Sequence, residues 1–113
     1  MTLFHITTRS AWAAARAAGV YRAASLDTAG FIHLSDERQW LATANRFYRG
    51  CADLLLLELD AARLGAPVRW EPADGLLFPH LYGPLELAAV VAVTALPVGA
   101  DGTIAAPRGS TTE

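Results

Sequence analysis

Residues 53–60 carry the sequence DLLLLELD, and this stretch decides the fold of the chain. Four consecutive leucines followed by an alternating tail are typical of a strand that is buried on both faces. The run is far shorter than the ~20 apolar residues that cross a bilayer. We therefore predict a central strand here. Strands and helices follow one another around it in an order that indicates one α+β domain, with two main helices packed on a small mixed or antiparallel sheet.

The N-terminal segment is predicted to form a strand and a helix. Residues 2–7 (TLFHIT) alternate as a β-strand does. Thr8 or Ser10 is a suitable N-cap for the alanine-rich helix that follows, and Gly19 is suited to end it. Residues 25–30 (SLDTAG) have the composition of a turn.

A second helix is predicted after a second short strand, residues 31–34 (FIHL). Ser35 is suited to cap this helix, and Asp36 and Glu37 would lie in its first turn, where negative charge suits the helix dipole. Gly50 would end it.

The C-terminal half is predicted to contain two more strands, at residues 68–71 (VRWE) and 86–96, separated by a loop at residues 72–84. Residues 1–106 would form the single domain. The small polar residues 107–113 would form a flexible tail.

Composition restricts the chemistry open to this domain. The chain has 113 residues, of which 53% are hydrophobic and 18% charged, with a net charge of −2, which suits one globular core. All nine basic residues are arginines, so Walker-type phosphate loops, pyridoxal Schiff bases and lysine general bases are excluded. The single cysteine, Cys51, excludes an internal disulfide and CxxC motifs, and a free thiol fits a reducing cytoplasm.

The expected partner is a small-molecule ligand. A pI near 5.9 does not favour duplex nucleic acid, and the apolar runs are too short for a membrane. The N-terminal residues lack the basic and apolar regions of a secretory signal, so we expect a cytoplasmic protein.

Two histidines occur in matching surroundings on the first two predicted strands. His5 is followed two residues later by Thr7, and His33 is followed two residues later by Ser35. On a strand, this spacing places each hydroxyl on the same face as its histidine. If the strands are neighbours, the four side chains form one polar strip; the alternative is that each histidine is a hydrogen-bonded residue of the core.

The segment FPHLYGP supplies the third histidine. His80 and Tyr82 lie between two prolines, either as a rigid turn or as the wall of a pocket with fixed hydrogen-bonding groups. Glu71, beside an indole, is either a solvated acid at a strand end or an acid partner whose pKa is raised by its apolar neighbours. Arg22 is a candidate for binding a phosphate or carboxylate. No two histidines have the spacing of a local zinc motif, so no metal is expected.

The chain resembles a bacterial family of small domains of unknown function in its segments LFHITTRSAW, GVY, GFIHLS, LLLLELD, RWE and FPHLYGPL. That family is similar to the ADP-ribosyltransferase fold, and LFHITT with GFIHLS resembles the RNA 2′-phosphotransferase branch. The resemblance implies that His5 orients the nicotinamide ribose of NAD, with Thr7 as its companion. It also implies that His33 and Ser35 form the second-strand pair, and that Glu71 is the candidate for the third catalytic position.

The sequence is therefore compatible with three functions. The first is a domain that binds NAD or an ADP-ribose-like ligand, with catalytic residues His5, His33 and Glu71, and with ADP-ribosyl transfer or NAD glycohydrolysis as its reaction. Its ligand-binding residues would be Thr7, Arg22, Ser35, His80 and Tyr82. The second is a non-catalytic binding module on the same fold. The third is a structural domain in which the histidines are core residues with satisfied hydrogen bonds.

Overall fold

The computed structural model describes residues 1–107, which contain eleven helices and strands. In chain order they are β1 (Thr2–Thr8), α1 (Arg9–Ala18), β2 (Val20–Tyr21), α2 (Ala24–Thr28), β3 (Ile32–His33), α3 (Trp40–Phe47), β4 (Leu54–Asp60), β5 (Val68–Ala73), β6 (Leu76–Leu81), β7 (Leu85–Glu86) and β8 (Val90–Ala95). Short 3₁₀ turns follow β4 and β7. Of the predicted tail, residues 108–113 lie outside the described residues.

The strands form three small sheets in which every pairing is antiparallel. Their orders are β1-β4-β8, β2-β7 and β3-β6-β5, so β4 is the middle strand of its sheet, as predicted. Phe4 of β1 and Ser35 exchange two backbone hydrogen bonds of 2.8 Å, which join the first sheet to the segment that follows β3. The fold is therefore α+β with antiparallel sheets and few helices.

Two apolar clusters cover the two faces of the β1-β4-β8 sheet. Because successive side chains of a strand point to opposite faces, alternate residues of β1 and β4 enter different clusters. One cluster contains Leu3, Leu57 and Leu59 together with Ala15 of α1 and Tyr21 of β2. The other contains Phe4, Ile6, Leu54 and Leu56 together with Trp40 and Ala44 of α3. His5 and Thr7 alternate with Phe4 and Ile6, so they face the α1 side.

Helix α1 has the ends that were predicted for it. The Thr8 hydroxyl accepts a 3.1 Å hydrogen bond from the amide of Ala11, so Thr8 is the N-cap. Gly19 adopts the left-handed conformation at φ +85°, and its amide donates to the carbonyl of Ala15. The helix thereby leads directly into β2.

The prediction of a turn at residues 25–30 is wrong for its first part, because residues 25–28 belong to the short helix α2. Leu26 and the preceding Ala23 pack against the cluster on the α1 side. This burial outweighs the weak helix propensity of the Ser, Asp and Thr residues around them.

The second predicted helix is shorter than expected, and Ser35 does not cap it. Ser35 is instead buried, because its backbone is paired with Phe4. The next residues form a turn in which the Asp36 carboxylate accepts from the amide of Arg38, and helix α3 begins only after this turn. Asp36 and Glu37 therefore lie before the helix rather than in its first turn.

The prediction of a loop at residues 72–84 is also wrong for most of its length, because the end of β5 and all of β6 lie within it. Pro79 lies within the middle strand of the β3-β6-β5 sheet, where the missing N–H of a proline is usually harmful. Here the carbonyl of Pro79 accepts from the amide of Leu34, just beyond the end of β3. In an antiparallel strand the N–H and C=O of one residue face the same neighbour. The nitrogen of Pro79 therefore faces the place where regular pairing with β3 ends.

The long strand predicted at residues 86–96 is divided into β7, a 3₁₀ turn at Leu87–Ala89, and β8. β7 pairs with β2, whereas β8 pairs with β4. The 3₁₀ turn redirects the chain from the sheet of β7 to the sheet of β8. Within residues 1–107, no helix combines the length and the apolar character needed to cross a membrane.

Candidate functional site

A buried chain of hydrogen bonds begins at His5. Its Nδ1 lies 2.7 Å from the carbonyl oxygen of His33, and its Nε2 lies 2.8 Å from the hydroxyl of Tyr21. The same hydroxyl is 3.0 Å from Oγ1 of Thr7. His5, Thr7 and Tyr21 are only 7%, 5% and 5% exposed. Hydrogen bonds thus connect the side chains of β1 and β2 to the backbone of β3.

The direction of these hydrogen bonds follows from proton counting. A carbonyl oxygen only accepts, so Nδ1 of His5 carries a proton and donates it to His33. Burial lowers the pKa of His5 from 6.5 to about 4, so the ring is neutral at pH 7 and its Nε2 is an acceptor. The single hydroxyl proton of Tyr21 therefore goes to Nε2, and the Thr7 hydroxyl lies within hydrogen-bond distance of the same oxygen. Burial also raises the pKa of Tyr21, which keeps its hydroxyl protonated.

A second cluster lies on the β3-β6-β5 sheet around the carboxylate of Glu71. Oε1 of Glu71 lies 2.7 Å from Nδ1 of His80 and accepts a 2.6 Å hydrogen bond from the Tyr82 hydroxyl. His80 pairs directly with His33 across the strands, and their ring centroids are 5.4 Å apart. Phe31 stacks on the His80 ring at 4.0 Å and contacts the rings of His33 and Tyr82. We refer to Phe31, His33, Glu71, His80 and Tyr82 as the open cluster.

The charges of the open cluster are fixed by these contacts. The alternative of a raised pKa at Glu71 is wrong, because the hydrogen bonds from Tyr82 and then from His80 lower it. The carboxylate is therefore ionised at neutral pH. The same carboxylate raises the pKa of Tyr82. The ring of His33 reaches solvent, yet partial burial and then the proximity of His80 lower its pKa as well. The guanidinium of Arg69 lies 4.9 Å from the centre of the Tyr82 ring.

His33 joins the buried chain to the open cluster. Its carbonyl oxygen accepts from His5, while its ring lies beside His80. All three histidines therefore belong to one network, although they come from three different strands. Six of the eight candidate residues lie in it: His5, Thr7, His33, Glu71, His80 and Tyr82.

The other two candidates lie elsewhere. Ser35 is buried beside β1, with its backbone paired to Phe4. Arg22 is exposed and lies 3.4 Å from the carboxylate of Asp27, in an ion pair on the surface. Neither residue has a described contact with the side chains of the network.

Tyr21 and Phe31 are the network residues that sequence reasoning missed. Tyr21 follows the helix-ending Gly19 within a short apolar strand, and a buried tyrosine needs a hydrogen-bond partner. The paired polar residues His5 and Thr7 on β1 were the signal that such a partner existed. Phe31 directly precedes β3, and no spacing in the sequence links it to His80.

Access to the network is limited to the open cluster. His5, Thr7 and His80 are buried, whereas His33 is exposed and Glu71 and Tyr82 are half-buried. A shallow groove of about 490 Å³ lies elsewhere, between α1 and β8, and its charged lining residues are Arg9 and Arg16. Its lining contains no histidine or acid. A second groove, of about 720 Å³, has the acids Asp36 and Glu37 but no histidine, so the open cluster is the better candidate for histidine chemistry. Among residues 1–107, no group of three or more His, Cys, Asp or Glu side chains is arranged to hold a metal ion.

These features define a small antiparallel α+β domain whose strands hold a connected network of His, Tyr and Glu residues. The chain belongs to the family described as "Protein of unknown function (DUF952)", whose model matches residues 6–93. The open cluster lies entirely within that range.

Two solved structures show the same fold. The crystal structure of protein CC0527 from Caulobacter crescentus has a TM-score of 0.86 and 38% identity, over 93% of this chain and 94% of that one. The solution NMR structure of CC0527 has a TM-score of 0.78 and 39% identity, over 91% of this chain and 90% of the other. A search of curated proteins finds no match.

Proposed function

We propose that the open cluster binds NAD or an ADP-ribose-like ligand on an ADP-ribosyltransferase-like fold. The single observation that supports this most strongly is the network itself. It holds three histidines together and ends at an ionised carboxylate beside partly exposed aromatic rings. Aromatic rings suit the nicotinamide or adenine ring, and a carboxylate suits the hydroxyls of a ribose. The proposed setting is the cytoplasm, where the exposed thiol of Cys51 would stay reduced.

The donor and acceptor groups of the open cluster fit such a ligand. Both hydrogen bonds described for Glu71 use Oε1, which leaves Oε2 for a ligand hydroxyl. The Glu71 side chain is 34% exposed, so this oxygen is within reach of a ligand. The neutral His33 ring supplies both a donor and an acceptor. Arg69, beside Tyr82, supplies positive charge for a phosphate.

The proposed reaction is cleavage of the bond between nicotinamide and ribose. The bonding electron pair stays on the nicotinamide nitrogen, and the oxygen of water or of an acceptor hydroxyl bonds to the ribose carbon. The proton of that oxygen passes to solvent. Positive charge develops on the ribose, and a fixed carboxylate such as Glu71 stabilises it without reorganisation. This chemistry requires neither a lysine nor a metal ion.

Because His5 and Thr7 are buried, the proposal places them behind the ligand. Both ring nitrogens of His5 already have protein partners. His5 would therefore hold His33 in position and would not touch the ribose. The same observation favours a second candidate function, a non-catalytic binding module, because His5 has no free ring nitrogen to act as a general base.

Calorimetric titration with NAD and, separately, with ADP-ribose tests the proposal. We expect the wild type to bind at least one of them, and His33→Ala and Glu71→Gln each to weaken binding at least tenfold. Glu37→Gln is the matched control, because Glu37 is an exposed acid in the turn before α3. Absence of binding by the folded wild type at millimolar concentration of both ligands would overturn the proposal.

Release of nicotinamide separates the enzyme from the binding module. Slow release from NAD that disappears in Glu71→Gln would support the proposed reaction. Binding without release, in the presence of water alone, would favour the second candidate.

A further inference from the structure

We infer that Tyr21 is a positioning residue for the ligand site, because its hydroxyl holds the His5 ring so that Nδ1 keeps the His33 backbone in place. As a statement about ligand affinity, this inference rests on the proposed function. As a statement about how the three residues are held, it stands on the geometry alone.

The first step is that a side chain holds the carbonyl of His33. Strand β3 contains only two residues, Ile32 and His33, which pair with Leu81 and His80 of β6. Backbone hydrogen bonds hold the two residues that follow, from Leu34 to Pro79 and between Ser35 and Phe4. The carbonyl of His33 receives its described hydrogen bond from the imidazole of His5. A side chain of β1 thus anchors the strand that carries the exposed histidine.

The second step is what holds the imidazole. Nδ1 of His5 faces His33 only if the ring keeps one orientation and one tautomer. The Tyr21 hydroxyl, 2.8 Å from Nε2, supplies the proton that this tautomer requires. The opposite tautomer would place two acceptors against each other at His33, because an unprotonated Nδ1 and a carbonyl oxygen both only accept. Thr7, 3.0 Å away, holds the hydroxyl from the other side.

The third step is that the hydroxyl, rather than the ring, performs this role. The Tyr21 ring packs edge-on against His5, with centroids 5.1 Å apart, within the cluster on the α1 side. Tyr21→Phe keeps this packing and removes only the oxygen. Nε2 would then be a buried acceptor without its partner, which frees the ring to change orientation or tautomer.

The test uses protein with ¹⁵N-labelled histidine, in which the ring nitrogen shifts report tautomer and hydrogen bonding. In the wild type we expect His5 as one tautomer, with Nδ1 protonated. In Tyr21→Phe we expect the His5 signals to show more than one state and the His33 ring signals to move. The dissociation constant for NAD should rise about tenfold. Tyr48→Phe is the matched control, since Tyr48 packs in the cluster on the α3 side.

A merely structural tyrosine would lower stability but leave the His33 signals and the affinity of the folded protein unchanged. Unchanged His5 and His33 signals in Tyr21→Phe would overturn the inference. So would a wild-type His5 that is protonated at Nε2, and this result needs no variant. If Tyr21→Phe does not fold, Thr7→Val removes the other partner of the same hydroxyl, and it should shift the His5 signals. If the wild type binds no NAD but the His33 signals still move in Tyr21→Phe, the positioning role stands and the proposed function fails.

Discussion

At the scale of single residues, His5 combines deep burial with two short hydrogen bonds. A buried imidazole with a pKa of about 4 takes up a proton much more readily in the unfolded chain, where its pKa is close to 6.5. The difference links the stability of the fold to pH, because protons favour the state that binds them.

We predict that the free energy of unfolding falls as the pH is lowered from about 7 towards 4. Through this window the unfolded state gains a proton at His5 that the folded state does not accept. The full loss is on the order of 3 kcal/mol for a lowering from 6.5 to about 4. The lowered pKa of His33 adds to it with the same sign. Urea unfolding measured at several pH values between 7.5 and 5 checks this expectation.

His5→Gln is the control for this pH dependence. A glutamine can donate to the His33 carbonyl and accept from Tyr21, but it does not titrate. Its stability should vary less with pH than that of the wild type. Carboxylates with lowered pKa values, such as Glu71 and Asp101, stay ionised in the folded state above pH 5 and mostly ionised in the unfolded state. Their contribution is the same in both proteins, so it does not obscure the comparison. A wild type equally stable at pH 7.5 and pH 5 would show that His5 is not held neutral.

A second prediction concerns the carboxylate of the open cluster. In Tyr82→Phe, the pKa of Glu71 should rise towards its ordinary value, because the hydrogen bond from Tyr82 is the largest cause of its lowering. Titration of the Glu71 side-chain carbon by NMR measures this directly, with Tyr48→Phe as the control. An unchanged pKa would mean that the 2.6 Å hydrogen bond does not persist in solution.

At the scale of secondary-structure elements, the N-terminus of helix α1 is stabilised by the hydrogen bond from the Ala11 amide to the Thr8 side chain. Thr8→Ala removes the cap on the Ala11 amide and should lower stability by about 1 kcal/mol. Ser10→Ala should have a smaller effect, since Ser10 contacts the Thr8 hydroxyl but is already inside the helix. Thermal unfolding of the two variants distinguishes them, and equal losses would contradict the assignment of Thr8 as the cap.

The elements that could be predicted from sequence are those whose determinants are local. Thr8 and Gly19 fix the ends of α1, and the leucine run fixes β4. The remaining differences arise from tertiary pairing. Pro79 is tolerated in β6 because its nitrogen faces the end of β3, and the region after Glu86 breaks because β7 and β8 belong to different sheets. Neither circumstance is visible in the order of the residues.

The candidate site likewise has one part that the local sequence predicts and another that depends on tertiary pairing. The alternation of His5 with Thr7 predicted a shared face, and both side chains do meet Tyr21. The partnership of Glu71 with His80 depends on the pairing of β5 with β6, which places both on one face. The prolines of this segment indicate a loop, so the sequence gives no sign of that pairing.

At the scale of the whole molecule, the β1-β4-β8 sheet stabilises the fold by filling a cluster on each face. Leu57 is 0% exposed at the centre of the cluster on the α1 side, directly opposite His5 in the register. Leu57→Ala should lower the free energy of unfolding by about 2–5 kcal/mol, whereas the exposed Leu76→Ala should change it by less than about 0.5 kcal/mol. Urea unfolding of both variants checks this, and similar losses would contradict the assignment of the core.

The most direct test of the proposed site is titration of NAD into histidine-labelled wild-type protein, followed by NMR. We predict that the ring signals of His33 and His80 shift in a saturable manner, because both belong to the open cluster. The nitrogen shifts of His5 should still report a protonated Nδ1, since its ring lies behind the ligand. If millimolar NAD moves no histidine signal, or moves only signals remote from His33 and His80, the open cluster is not an NAD site.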